Sequence, residues 1–500
     1  MPKKLLVANR GEIAVRVLRA CAELAIPSVA VFSDADCSAP HAMLADEAVR
    51  LGEAEAKSSY LDIGKIIDAA QTVGADAIHP GYGFLSESAQ FAAACQAAGI
   101  TFVGPSAATI EALGDKASAR RLAVEAGVPV VPGQQIESDE ELEQLAKQVG
   151  FPLLIKAIAG GGGKGMRVVR DPADLQHAFE LARREAVASF NNPAMLIERL
   201  IERPRHIEVQ ILADNHGHCV FLGERECSIQ RRHQKIIEEC PSPAVDADLR
   251  QRIGSAAVAV ARAAGYTNAG TVEFLLDENG DFYFLEVNTR LQVEHPITEE
   301  VTGIDLVHQQ LRIADGLPLE LEQDRIVIRG HAIEARVYAE DPARDFAPSP
   351  GRIHVLDEPH GPGVRVDSGV RAAMDVPVYY DPILSKVIAW APTREAAIAR
   401  LDRALADYVL LGFATNISLM RHVLGHPAFR QGQLSTGFIT EHLLDRQTAL
   451  WSAPLPSEQT EALAAALSAD ARVSSTDGAP QTVAAVRQTP WEQLANWRVR

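Results

Sequence analysis

The stretch Gly270-Thr-Val-Glu-Phe-Leu-Leu-Asp-Glu-Asn-Gly-Asp-Phe-Tyr-Phe-Leu-Glu-Val-Asn288 reads as two strands joined by a tight turn. Asn279-Gly280 between alternating apolar runs predicts a type I′ turn, which needs positive φ at both central residues. Counting outward, Glu278 pairs with Asp281, Asp277 with Phe282, Glu273 with Glu286 and Thr271 with Asn288. Two opposed carboxylates, with Cβ atoms about 5 Å apart, repel and call for a cation or a shared proton. Carboxylate oxygens plus the Asn288 amide are hard ligands, which points to Mg²⁺ or Mn²⁺ with substrate phosphates completing the shell. The plainer reading is a solvated acidic face, and the neighbouring residues argue against it.

If the chain stays extended beyond Asn288, period two puts Arg290, Gln292 and Glu294 on the face of Glu286, with Pro296 ending the strand. At about 3.3 Å per residue, Glu286 and Glu294 would then stand roughly 26 Å apart. The segment must therefore bend or serve two adjacent subsites, one for metal and nucleotide and one for a second reactant.

Upstream, Ile207, Val209 and Ile211 alternate with His206, Glu208 and Gln210, a half-buried antiparallel strand. Before it, Gly160-Gly-Gly-Gly-Lys-Gly165 lies between predicted strands at Pro152 to Ala157 and Met166 to Arg170. Successive backbone N–H groups there can cradle phosphate oxygens, with Lys156 and Lys164 adding charge. It is not a Walker loop, because Gly165 follows the lysine. A glycine hairpin tip suits a lid over a triphosphate. Lys116, His206 and Gln230-Arg-Arg-His-Gln-Lys235 supply further positive charge, although each alone is the kind of group often found simply solvated.

From Lys3 to about Gly104, short apolar runs alternate with helical patterns, which predicts βαβ units in a doubly wound, parallel N-terminal domain. The turns at Asn9 to Glu12 and Gly81 to Phe84 follow its strands and are candidate site loops. Gly81-x-Gly83 lacks the third glycine of a dinucleotide fingerprint. The whole is expected to be α/β and α+β and multidomain. The expected division is an N-terminal domain at 1–114, a central domain at 115–315 with a lid at 131–203, a mixed C-terminal domain at 316–446, and a tail at 447–500 that holds Trp451, Trp491 and Trp497.

The chain has 500 residues, 48 Lys+Arg against 66 Asp+Glu and a formal charge of -18, so its overall field repels nucleic acid and anionic membranes. An anionic substrate must be held by local cations in a cleft. Six scattered cysteines without a CxxC pair read as reduced thiols, and no stretch approaches membrane-spanning length. With no signal or transit segment evident, a cytoplasmic location is expected.

Ala8-Asn-Arg-Gly-Glu-Ile13, His79-Pro-Gly-Tyr-Gly-Phe-Leu-Ser-Glu87, Gly160 to Met166, Gln230 to Lys235 and Glu286-Val-Asn-Thr-Arg-Leu-Gln-Val-Glu-His-Pro296 closely resemble the biotin carboxylase family of ATP-grasp enzymes. The likeness covers about Lys3 to Leu444. It implies ATP-driven activation of bicarbonate through carboxyphosphate, followed by carboxylation of biotin at N1′, with two Mg²⁺ or Mn²⁺ ions. By resemblance, Lys116, Lys156, Gly162, Gly163, His206, Gln230 and His233 contact ATP, while Glu198, Arg199, Leu200, Ile201 and Leu275 frame its adenine. Glu273, Glu286 and Asn288 match the metal ligands. Lys235, Arg290, Gln292 and Val293 match the bicarbonate pocket, Glu294 the general base, Arg336 the group stabilising the biotin enolate, and Tyr82 a biotin contact.

No methionine is followed by lysine, so the family's Met-Lys-Met biotinylation site is absent from these 500 residues. The resemblance therefore implies biotin on a carrier domain in trans or in a missing C-terminal part, a carboxyltransferase partner, and a homodimer or larger hetero-oligomer. Thr489-Pro-Trp491 to Arg498 resembles the start of the linking domain of methylcrotonyl- or geranyl-CoA carboxylase α subunits, which suggests a truncated α subunit. The alternatives are another bicarbonate-activating ATP-grasp ligase, similar to carbamoyl-phosphate synthetase, or a nucleotide-binding scaffold without turnover.

Overall fold

A computed structural model describes residues 1–136, 141–158, 165–190 and 192–443. The predicted N-terminal runs form a five-stranded parallel sheet. Its spatial order is Glu47–Gly52, Ser28–Ser33, Leu5–Val7, Ala77–His79 and Thr101–Phe102. Strand order reverses between Leu5–Val7 and Ala77–His79, so a crevice opens at their carboxyl ends. Asn9 spans that crevice: its Nδ2 donates to the carbonyls of Pro80 at 2.7 Å and Tyr82 at 2.8 Å. Gly81 has φ +62°, and a Cβ there would meet Asn9 Nδ2 at 2.8 Å, so both backbone and space require glycine.

A second, four-stranded antiparallel sheet has the order Gly133–Ile136, Met195–Arg199, Leu153–Ala157 and Met166–Val169. The Leu175–Phe190 helix buries Leu175, Phe179, Ala182 and Ala186 against it, the spacing of one helical face.

The largest sheet has eight antiparallel strands. Phe282–Asn288, Asn268–Leu276, Arg205–Ala213, Cys219–Arg231 and Gln234–Cys240 continue directly into His331–Tyr338, Ile383–Ala391 and Val364–Ser368. The Ala247–Ala263 helix, capped by the Asp246 carboxylate on the Leu249 N–H, covers one face through Leu249, Ile253, Ala257 and Val260. The His295–Thr302 helix lies against the strands from both halves of the sheet.

The hairpin differs from the predicted turn. Gly280 has φ +82° but Asn279 is not left-handed, and the Asp277 N–H bonds the Asp281 carbonyl while the Gly280 N–H bonds that of Asp277. This is a three-residue loop with a bulging glycine, and it offsets the strands by one residue, pairing Leu276 with Phe282. The Asp277 carboxylate stabilises the longer loop by accepting from the N–H groups of Asn279 and Asp281, both at 2.9 Å. A second irregularity between Glu273 and Phe274 leaves Leu285 as the extra residue and reverses the offset. Glu273 consequently faces Glu286, and Thr271 faces Asn288.

The segment beyond Asn288 also departs from the extended course. The strand ends at Asn288, the chain bends at Thr289–Arg290, and Pro296 opens a helix instead of closing a strand. Proline suits the first helical turn, where its missing N–H has no intrahelical partner to lose. The tail from 447 onward, with its three tryptophans, lies outside the described residues.

Candidate active site

Four strands converge on Lys235. Register pairs Glu208 with both Arg225 and Glu273, and the polar set on Arg205–Ala213 faces the same side as Lys235. Lys235 Nζ contacts Glu208 Oε2 at 2.5 Å, Glu273 Oε1 at 3.0 Å, Gln292 Oε1 at 3.1 Å and Glu294 Oε1 at 2.6 Å. Gln292 Nε2 and Asn288 Nδ2 each donate to Glu273 Oε1 at 2.9 Å. The bend after Asn288 is what returns Gln292 and Glu294 to this cluster. Val293 joins through its backbone, its carbonyl accepting from Lys386 Nζ at 2.8 Å.

Glu294 is 1 % exposed, and its second oxygen accepts from Arg336 Nη2 at 2.9 Å. Burial alone would raise its pKa, but Lys235, Arg336 and Arg225 outweigh burial and hold the carboxyl well below the usual range. Burial would lower Lys235, and Glu208, Glu273 and Glu294 together push it well above its ordinary value. Against burial, Lys235 and His206 hold Glu273 low, His206 Nε2 lying 2.9 Å from Glu273 Oε2. The surrounding charges thus favour ionised Glu294 and Glu273 around a charged Lys235.

On the nucleotide side, Lys116 opens the Lys116–Glu125 helix and its Nζ lies 3.5 Å from Glu286 Oε2. Lys156 Nζ pairs with Glu198 Oε2 at 2.6 Å across neighbouring strands. Arg199 and Leu200 tie the backbone to Pro132 and Pro152, Ile201 is buried and Leu275 half-buried on its strand. Gln230 pairs across the ladder with Lys235. The residues between them form a two-residue turn in which Arg232 and His233 have φ of +49° and +69°. Non-glycine residues held there are strained, a feature that concentrates at functional sites. Gly162 and Gly163 lie outside the described residues.

Two expected site residues stand apart from the Lys235 cluster. Arg290 Nε lies 3.1 Å from Glu87 Oε2, and Arg290 Nη2 donates to Asn288 Oδ1 at 3.2 Å. Tyr82 sits in the Gly81–Gly83 turn with its hydroxyl buried and without a hydrogen bond. For a metal, Glu273, Glu286 and Asn288 offer only hard oxygens on adjacent strands, and Glu286 is the half-buried member whose only cation within ion-pair distance among the described residues is Lys116. The donor chemistry fits Mg²⁺ or Mn²⁺.

Several participants were not singled out from sequence. Glu208 and Arg225 form a fully buried pair at 2.5 Å, and Arg225 also donates to Gln210, Thr271 and Thr298. Glu238 lies 2.5 Å from Arg336 Nη2. Lys386 is fully buried with Glu12 at 3.2 Å.

Three family models match successive parts of the chain. Residues 1–110 match the family model of the biotin carboxylase N-terminal domain, 115–322 the ATP-binding domain of the carbamoyl-phosphate synthase L chain, and 334–441 the biotin carboxylase C-terminal domain. Fold and site together define an ATP-grasp enzyme. The chain is 54% identical over 440 residues to a biotin carboxylase of Nostoc sp., covering 88% of this chain and 98% of that one. It is 48% identical over 445 residues to the rat mitochondrial methylcrotonoyl-CoA carboxylase subunit alpha, covering 88% of this chain and 62% of the relative. Among solved structures, the biotin carboxylase domain dimer of Hydrogenobacter thermophilus 2-oxoglutarate carboxylase, in complex with MgADP, ADP and bicarbonate, superposes with a TM-score of 0.84 at 46% identity. That match covers 88% of this chain and 98% of the other. A Campylobacter jejuni biotin carboxylase matches with a TM-score of 0.84 at 43% identity, covering 88% and 99%. The chain belongs to the biotin carboxylase family.

Proposed function

We propose that this chain uses ATP to carboxylate biotin with bicarbonate. The observation that carries this reading is Lys235 clasped by Glu294 and Glu273, with Arg336 on the far oxygen of Glu294. Bicarbonate is a small, weakly nucleophilic anion, and it needs a fixed cation and a nearby base more than it needs a large pocket. When the anion binds, Lys235 turns part of its charge from Glu294 to the anion. Glu294 then loses one of the cations that suppress its basicity and accepts the bicarbonate proton. Arg290, released from Glu87, and the Gln292 amide complete the anion cradle.

Lys116, Lys156, His206 and His233 converge toward the ATP phosphates, with Glu198 to Ile201 and Leu275 at the base. Glu273, Glu286 and Asn288 would hold the divalent ions, which neutralise charge on the phosphates during transfer. Arg336, permanently charged and already positioned beside the base, stabilises the enolate oxygen that develops on biotin when N1′ loses its proton. Tyr82, across the crevice, borders the biotin side.

The expected domain division at 114, 315 and 446 accords with this assignment of tasks. Relatives that are subunits or domains of larger carboxylases support a biotin carrier and a carboxyltransferase as partners, and the dimeric Hydrogenobacter domain supports a homodimer. Among the described residues no helix is long and apolar enough to cross a membrane, and the six free thiols accord with the cytoplasm. Purified protein given ATP, Mg²⁺, labelled bicarbonate and free biotin should form labelled carboxybiotin, with ATP cleavage dependent on bicarbonate. Bicarbonate-dependent cleavage that gives carbamoyl phosphate with ammonia and no carboxybiotin would overturn the reading.

A further inference from the structure

Beside Arg336, whose Nη2 lies between Glu238 and Glu294, two carboxylates face each other. Glu238 and Glu334 are direct partners across the ladder between Gln234–Cys240 and His331–Tyr338, and both are 0 % exposed. Glu238 has the Arg336 guanidinium at 2.5 Å. Glu334 has no hydrogen bond to either oxygen and no cation within ion-pair distance among the described residues. Opposed charges buried in this way repel strongly, and removing two of them from water with a single nearby cation is unfavourable by several kcal/mol per uncompensated ion.

The cations around the pair, Lys386 attracting Glu334 and Arg336 attracting both, are each shared with other groups and do not outweigh burial. Arg336 is shared with Glu294, Lys235 is taken by Glu208, Glu273 and Glu294, and Lys386 is directed to the Val293 carbonyl, Glu12 and Asp367. From the helix packed over these strands, His295 is kept uncharged by burial and by Lys386, Arg16 and Arg365, while Thr298 is neutral. Cys227, beside Glu294, is likewise held as the thiol by burial and by Glu208.

We propose that Glu238 and Glu334 form a proton-holding pair: Glu334 keeps the proton, Glu238 stays ionised against Arg336, and Arg336 is thereby balanced by two carboxylates instead of three. Glu334 is then a positioning residue. Its proton leaves Arg336 enough free charge to serve a developing enolate, and its loss would saturate the guanidinium. Burial raises both groups, Glu334 well above its usual range and Glu238, opposed by Arg336, to about 7, so the proton is held more tightly on Glu334. The inference rests on the reading of Arg336 as the group that acts on biotin.

The test has a spectroscopic and a kinetic arm. Infrared spectra of the native enzyme at neutral pH should contain the carbonyl band of a buried carboxylic acid that shifts with isotope-labelled glutamate, fades as pH rises, and is missing from Glu334→Gln. Biotin carboxylation relative to bicarbonate-dependent ATP cleavage should fall with rising pH in the native enzyme. The ratio should stay level in Glu334→Gln, the permanent mimic of the protonated acid. Glu238→Gln should lower that ratio by about tenfold or more, as for a lost charge-assisted bond. Absence of the band, coincident pH profiles for native and Glu334→Gln enzyme, or equal losses in both folded variants would overturn the pair. A band that behaves as expected in a protein that carboxylates no biotin would instead overturn the functional reading and leave the pair standing.

Discussion

The Lys235 cluster and the Lys156–Glu198 contact are both salt bridges on sheets, yet they are built for different ends. Lys235 is mostly buried among three carboxylates, two on central strands and Glu294 at the turn before the His295–Thr302 helix, and every charge there depends on the others. Lys156 pairs with one carboxylate on the smaller sheet and keeps a quarter of its side chain in water. Buried charge stripped of one partner is heavily penalised, while a partly wet pair contributes little. Removing a partner from the central cluster is therefore heavily penalised, whereas the smaller sheet can give up its ion pair at small expense.

The largest effect should come from Lys235→Gln, which takes from three buried carboxylates the cation they share and leaves Glu208 to Arg225, Glu294 to Arg336 and Glu273 to His206. Unfolding free energy should fall by about 3–5 kcal/mol, with bicarbonate-dependent ATP cleavage essentially abolished. Denaturant titration alongside steady-state assays checks this, and a stable, active variant would break the contrast.

Next, Glu294→Gln should keep nucleotide binding but reduce biotin carboxylation by about 10²–10⁴-fold, the range for losing a general base. The same variant sharpens the electrostatics. Because the folded pKa of Glu294 is depressed, its contribution to stability is full above the unfolded value of about 4.3 and is lost as pH falls through the folded value. Glu294→Gln should thus show a shallower loss of stability in acid than the parent, measured by unfolding at stepped pH below about 4.3.

Glu286→Gln should raise the Mg²⁺ concentration for half-maximal ATP cleavage by about tenfold, since one of two opposed carboxylates is gone. An unchanged metal titration would remove Glu286 from the ligand set. The smallest change is expected for Lys156→Gln, with stability altered by less than about 1 kcal/mol and a several-fold higher KM for ATP. A large loss of stability there would show that the smaller sheet is not the loosely coupled region the comparison makes it.

Local chemistry was legible wherever it depended on neighbours in sequence. The parallel N-terminal strands and the alternation of His206, Glu208 and Gln210 both follow from short-range pattern. Register at Glu273 was predicted correctly through two compensating departures: Asp277 draws the turn into a three-residue loop, and the extra Leu285 restores the count. The bend after Asn288 was hidden because proline ends a strand and begins a helix equally well. Glu208, Arg225 and Glu238 escaped notice because their meaning lies in partners across the sheet, and only the family resemblance pointed to Arg336.

The eight-stranded sheet crosses the boundary at which sequence pattern would divide the chain. Cutting near residue 315 would strip Gln234–Cys240 of its neighbour His331–Tyr338 and bare a long row of unpaired N–H and C=O groups. Such an edge invites pairing with other chains. The part of the protein that carries Glu273 and Glu286 is therefore poorly suited to life as a separate module. Any shuffling that built larger enzymes from this unit had to carry both halves of the sheet together.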